Sequence, residues 1–295
     1  MNLTEFHDEY WWPLACSKLR ECTLIGYESK WRLHIQPALG SMELEDITPR
    51  ILDAWFDKIE GNKAWGIWAV ARIIIRTAYK YEFIDKDPTM RVLNAPKRPK
   101  STQPTLTKAE VAKLLDGFKW HELEAWLICM VTMGLRREEG CALTWDDIDL
   151  DTGAVNINKG AQYIKGRTVI NPPKTRNGYR TCWLNGKYLE RIREIASKGN
   201  VTPYNPSRTA RVYRKHCIDN NLPYVPPKNL RTTFGTLAVQ EGWDVARISK
   251  WMGHYDPSVT MSNYMHPREE ETFGLSTIFD EPEGIINKIT KWFKK

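Results

Sequence analysis

Residues 94–106, NAPKRPKSTQPTL, hold three prolines and three bases in thirteen positions. Each proline fixes its own φ and lacks an N–H, so the segment stays extended and joins neither a helix nor a central strand. Lys97, Arg98 and Lys100 would let it lie along a row of phosphates. The chain is thereby divided into 1–93 and a longer part from 107 onward. With 295 residues, each part is long enough for a core of its own.

The first part reads as helices. Thr4 opens a pattern running through Tyr10, Trp11 and Leu14, and Thr23 can cap a second helix from Leu24 to about Ile35. Pro37-Ala38-Leu39-Gly40 then breaks the chain. Thr48-Pro49 is a cap and first-turn pair for a third helix, and a fourth spans about 63–83. Trp11, Trp12, Trp31, Trp55, Trp65 and Trp68 are expected in the core of this four-helix unit.

The second part opens on a capping box, Thr107-Lys-Ala-Glu110, with helical periodicity over 111–118 and 123–133. Gly134 stops the second of these, and Arg136 then falls at the start of the next helix. Segments 154–158, 168–171 and 179–184 read as strands, the last two joined as a hairpin by the Asn177-Gly178 turn signal. Helices are expected over 187–196 and 207–219. Arg231 is read as opening a helix to Gln240. Asp244 caps another that Gly253 stops, leaving His254 on a turn. Asp256-Pro257 begins a further helix that would carry Tyr264 about two turns in.

Charge points to a polyanion. The net charge is +7, and between Asp151 and Glu190 there is no acid but seven bases: Lys159, Lys165, Arg167, Lys174, Arg176, Arg180 and Lys187. A second acid-free run, from Ile195 to Ile218, holds five more. Duplex DNA is the polyanion such stretches suit.

Arg, Lys, His and Tyr in this order also suit phosphoryl chemistry. A phosphodiester resists attack until its oxygens are neutralised, and the arginine fork does this with paired donors that never lose their charge. A tyrosine, with a free pKa of about 10, becomes a nucleophile when cations stabilise the phenolate and a base removes its proton.

The stretch GLRREEGCALTWDDIDL (134–150), the text PPKTRNGYRTCWL (172–184), Lys228-x-x-Arg231, Met-Gly-His254 and Tyr264 together resemble the tyrosine recombinases of the phage-integrase family. HIQPALGSMELEDITP and ARIIIRTAYKYEFIDKDP resemble the core-binding domain that precedes their catalytic domain. The resemblance implies two domains: an all-α core-binding domain (1–93) and, after the linker (94–106), a mixed α/β catalytic domain (107–280), mostly α with a small antiparallel sheet. A tail helix (281–295) follows, amphipathic from Gly284 and suited to docking on its own or a neighbouring subunit.

By the same resemblance Tyr264 attacks the scissile phosphate, Arg136 and Arg231 stabilise its charge, and Lys174 protonates the leaving 5′-oxygen. His254 and Lys228 assist, and Glu139 braces an active-site arginine. Arg137 competes with Arg136, but the family's position follows Gly-Leu directly. Lys228 stands where the family usually has His and is read as a phosphate-holding cation. The implied product is a 3′-phosphotyrosyl bond, formed without metal or nucleotide cofactor, for integration or excision of a phage or mobile element.

The implied partners are duplex recombination sites, three further copies in a tetramer, and host DNA-bending or directionality factors. The chain begins at the core-binding unit, so simple sites are expected rather than ones with distant arms. A type IB topoisomerase and a silent DNA-binding regulator are the competing readings. The core-binding text opposes the first, and six filled catalytic positions oppose the second. No apolar run nears the roughly 20 residues that span a bilayer, and no membrane partner is expected. Six cysteines without a C-x-x-C pair suggest a reduced compartment, so the expectation is the bacterial cytoplasm, on the nucleoid when DNA-bound.

Overall fold

The computed structural model describes residues 1–59, 61–99, 103–173 and 175–253, in two units divided after Thr102. Lys174, His254, Tyr264 and the amphipathic tail lie outside the described residues.

The first unit is helical. α1 (Leu3–Phe6) opens on a capping box from Asn2 and runs through a π turn, His7–Trp11, into α2 (Trp12–Lys18). α3 (Glu21–Lys30) starts before Thr23, with Arg20 at its cap, so Thr23 is not the cap expected of it. It passes through a second π turn, Trp31–Ile35, into α4 (Gln36–Leu39). The expected break at Pro37 is therefore absent. A proline inside an α-helix removes one bond and presses its ring on the carbonyl four residues back. Here the turn before it widens, with the Gln36 N–H reaching Trp31 O, and the helix continues. Pro13 follows the first π turn in the same way.

α5 (Pro49–Phe56) is capped by Thr48, and α6 (Ala64–Lys80) is three residues shorter at its end than its periodicity suggested. Phe6, Trp11, Trp31, Ile35, Leu52, Trp55, Trp68 and Ile74 share one core. Trp65 departs from expectation. It is 38% exposed, with the Arg98 guanidinium 5.4 Å from its ring centre. The strip 94–106 is held at both ends: Asn94 N–H donates to Asp53, and Leu106 N–H donates to Thr233 in the second unit.

The second unit is built around α8 (Glu124–Met133), which is buried on all sides except at Thr132 and therefore sits centrally. α7 (Lys108–Gly117), opened by the Thr107–Glu110 capping box, packs on it, as do α9 (Arg137–Ala142) and α12 (Pro227–Gln240). Phe118, Trp126, Tyr213 and Leu230 are among its fully enclosed side chains.

Four short strands form two antiparallel pairs. β1 (Ala154–Ile157) pairs with β4 (Arg180–Trp183), and β2 (Gly160–Ile164) pairs with β3 (Arg167–Asn171). This corrects the hairpin reading. β3 and β4 do not pair, β2 was not foreseen, and Asn177-Gly178 ends a 3-10 turn. The tight hairpin turn is Lys165-Gly166, with φ of +47° and +82°. α10 (Lys187–Glu194), α11 (Pro206–Asp219, capped by Asn205) and α13 (Val245–Met252, capped by Asp244) complete the unit.

Candidate active site

Arg136 is the N-cap residue of α9, with an extended backbone at φ −68° and ψ 148°. Gly134 makes the approach possible: it turns left-handed at φ +61°, and a Cβ there would lie 2.5 Å from the Phe234 ring. Glu139, one turn into α9, accepts the Arg136 backbone N–H on Oε2 at 2.8 Å and its Nη1 on Oε1 at 2.7 Å. Arg136 Nη2 donates to Gly253 O at 2.9 Å. The expectation that Glu139 braces an arginine is met in the geometry. Arg137, the competitor, is exposed and turned to Glu138 at 2.9 Å.

Arg231 does not open its helix. α12 begins at Pro227, so Arg231 lies in its second turn, 8% exposed. Its Nη1 donates to Gly134 O at 2.8 Å and its Nη2 to Met252 O at 2.7 Å. Both guanidinium groups thus grip consecutive carbonyls at the end of α13, where helix carbonyls lack intrahelical partners and carry partial negative charge. That turn is fixed by Gly253 in the left-handed region at φ +67°. The turn leads directly to residue 254.

Lys228 stands one turn before Arg231 on the same helix, exposed to solvent. With Arg136, Arg137, Glu138, Pro226, Pro227 and Arg231 it lines a cleft of about 350 Å³. Of the six proposed catalytic residues, Arg136, Lys228 and Arg231 are described, and the fold brings all three to this cleft. Arg136, its side chain 38% exposed, uses three N–H groups on described partners, one of them backbone, and its guanidinium keeps donors for a further acceptor. The cleft can therefore neutralise and orient an oxyanion such as a phosphodiester. Among the described residues no His/Cys/Asp/Glu cluster could hold a metal, and no helix is long and apolar enough to cross a membrane.

One participant was not foreseen. Arg180 on β4 donates Nη2 to Glu139 Oε2 at 2.8 Å and Nη1 to Oε1 at 3.2 Å, with both side chains 7% exposed. Strand alternation places it on the same face as the fully buried Cys182. A base with that inward register was the available signal, since an enclosed cation demands an anion. Burial by itself would raise the Glu139 carboxyl. Hydrogen bonding and charge from Arg180, then the charges of Arg136 and Arg231, outweigh it and hold the pKa at about 2.

Residues 104–271 match the phage integrase family, and residues 3–59 match its N-terminal SAM-like domain. A tyrosine recombinase XerC-like protein of Caldanaerobacter subterraneus subsp. tengcongensis is 22% identical over 307 residues, covering 88% of this chain and 78% of the relative. Among solved structures, the Tn1549 transposon integrase in complex with a circular intermediate DNA superposes with a TM-score of 0.78 at 16% identity, covering 92% of this chain and 96% of that one. The lambda integrase tetramer bound to a Holliday junction gives a TM-score of 0.66 at 18% identity, over 91% and 80%. The shared two-unit fold, mostly helical with small antiparallel sheets, agrees with the fold class read from sequence.

Proposed function

The chain belongs to the phage integrase family, and from that membership we propose that it is a site-specific DNA recombinase that works through a covalent 3′-phosphotyrosyl link to Tyr264. The observation that carries this reading is the convergence of Arg136 and Arg231 on the consecutive carbonyls of Gly253 and Met252, beside Lys228 in one cleft. Two guanidinium groups held by backbone carbonyls before substrate arrives need little reorganisation as charge grows on the phosphate, which makes such a pair effective in a transition state.

In this scheme the Tyr264 hydroxyl oxygen attacks the scissile phosphorus and the bond to the 5′-oxygen breaks. The phenolic proton passes to His254 or to a phosphate oxygen. Lys174 protonates the departing 5′-oxygen, which would otherwise leave as an alkoxide. Arg136 and Arg231 hold the non-bridging oxygens, and Lys228 adds a fixed charge. Rejoining is the reverse: a 5′-hydroxyl from the partner duplex attacks the phosphotyrosine and releases Tyr264. The link retains the phosphodiester energy, so rejoining consumes no nucleotide.

Two such rounds within four subunits would pass through a Holliday junction, the DNA that the lambda integrase tetramer holds. Integration or excision of a phage or mobile element is the corresponding role. Wild type and Tyr264→Phe, incubated with a random duplex library, test it. Wild type should give heat-stable protein–DNA adducts at recurrent positions, while the variant binds duplex and gives none. Adducts in the variant, or none in wild type, refute it. A Lys228→His variant tests the cation role: cleavage should hold below about pH 6.5, where the imidazole is charged, and fall as the pH rises past it.

A further inference from the structure

We propose that Arg180 is a positioning residue for strand cleavage, tying the connection that carries Lys174 to the carboxylate that aims Arg136. The inference rests on the reading of Lys174 as the acid for the leaving oxygen.

Four donors converge on Glu139: the backbone N–H and Nη1 of Arg136, and Nη1 and Nη2 of Arg180. A carboxylate offers about four lone-pair sites, so these donors saturate it and fix its plane. Arg136 takes one edge from α9 and Arg180 takes the other from β4. The direction of the Arg136 guanidinium is therefore set jointly by both.

Arg180 also holds the connection before β4. Its Nη1 donates to Gly178 O at 3.3 Å. A Cβ on Gly178 would stand 2.4 Å from Pro173 Cβ, so residues 173 and 178 are pressed together within this loop. The same loop abuts the carbonyl turn that Arg136 grips. A Cβ on Gly253 would lie 2.4 Å from Asn177 O and 3.3 Å from Arg180 Cδ and Nη1. With its side chain only 7% exposed, Arg180 is enclosed by protein and offers little surface to a substrate. Its effect is transmitted: it joins Gly178, four residues after Lys174 in the chain, to the Arg136–Glu139–Gly253 frame.

The leaving group gives the test. A duplex with sulfur replacing the 5′-bridging oxygen at the mapped attachment position expels a thiolate, whose conjugate acid has a pKa near 8.5 and needs no proton donor. On ordinary DNA, Arg180→Ala should form adducts roughly 10²-fold more slowly or worse, the scale of a lost general acid. On the sulfur substrate Lys174→Ala should return to near the wild-type rate, and Arg180→Ala should regain the part of its loss that runs through the acid while keeping the part that runs through Arg136. Arg136→Ala should stay slow on both.

If Lys174→Ala is not rescued, the assignment of Lys174 is wrong. If it is rescued but Arg180→Ala is equally slow on both substrates, the tie to Lys174 is overturned. Should Arg180→Ala fail to unfold cooperatively, Arg180→Lys, which keeps charge but loses the fork, is judged by the same comparison.

Discussion

At Glu139 a single buried carboxylate serves two arginines, and its protonation is a direct measure of that frame. Its pKa is held at about 2 against an ordinary 4.5. A carboxylate depressed in the folded state adds stability that is complete above pH 4.5 and is lost as pH falls towards 2. Glu139→Gln leaves the buried Arg180 without its counter-charge, and is expected to lower unfolding stability at neutral pH by on the order of 3 kcal/mol. The gap to wild type should narrow through that acid window. A gap of constant size in denaturant titrations at pH 7 and pH 3 would exclude the ion pairs as its source.

Two glycines separate backbone strain from crowding. Gly242 has φ +78° and open space around its missing Cβ, whereas Gly253, at φ +67°, faces Asn177 O at 2.4 Å. Gly242→Ala should cost about 1 kcal/mol, the left-handed penalty alone. Gly253→Ala should cost clearly more and also slow adduct formation, because the Arg136 acceptor moves. Equal losses in thermal melts would show that the contact is readily relieved.

At the scale of elements, the β2–β3 hairpin turns on Lys165-Gly166, both in the left-handed region, although lysine is a poor residue there. Lys165→Asn creates the Asn-Gly pair that such turns favour. It should slow hydrogen exchange of the β2 and β3 amides, corresponding to a local gain of a few tenths to 1 kcal/mol. Unchanged exchange would mean that packing on α9, not the turn, sets hairpin stability. The chain holds an Asn-Gly pair at 177–178, and a turn does form there, but between strands that belong to different pairs. Turn chemistry is local, while strand partnership depends on which faces can be buried together. Pro37 taught the converse. Its breaking tendency is local and was legible, yet a widened turn before it absorbs the clash and the helix survives.

At the scale of the molecule, each unit encloses its own core, so fragments 1–102 and 103–295 should each unfold cooperatively. Bases occur in both, and duplex binding should weaken with salt in proportion to the phosphates neutralised. The logarithmic salt slope of the whole chain should exceed that of fragment 103–295. Equal slopes would assign all phosphate contact to the second unit.

Residue order alone marked the proline-rich stretch within which the two units divide, the caps at Thr48, Thr107 and Asp244, the glycine stops at 134 and 253, and the family-like series from Arg136 to Tyr264. Each follows from interactions spanning a few residues, or from a motif in linear order. Tertiary structure alone decided that Trp65 is left exposed, that β4 pairs with β1, and that Arg180 shares Glu139 with Arg136. These depend on contacts between residues 23 to 41 apart, where burial and charge pairing are settled only when the whole unit packs.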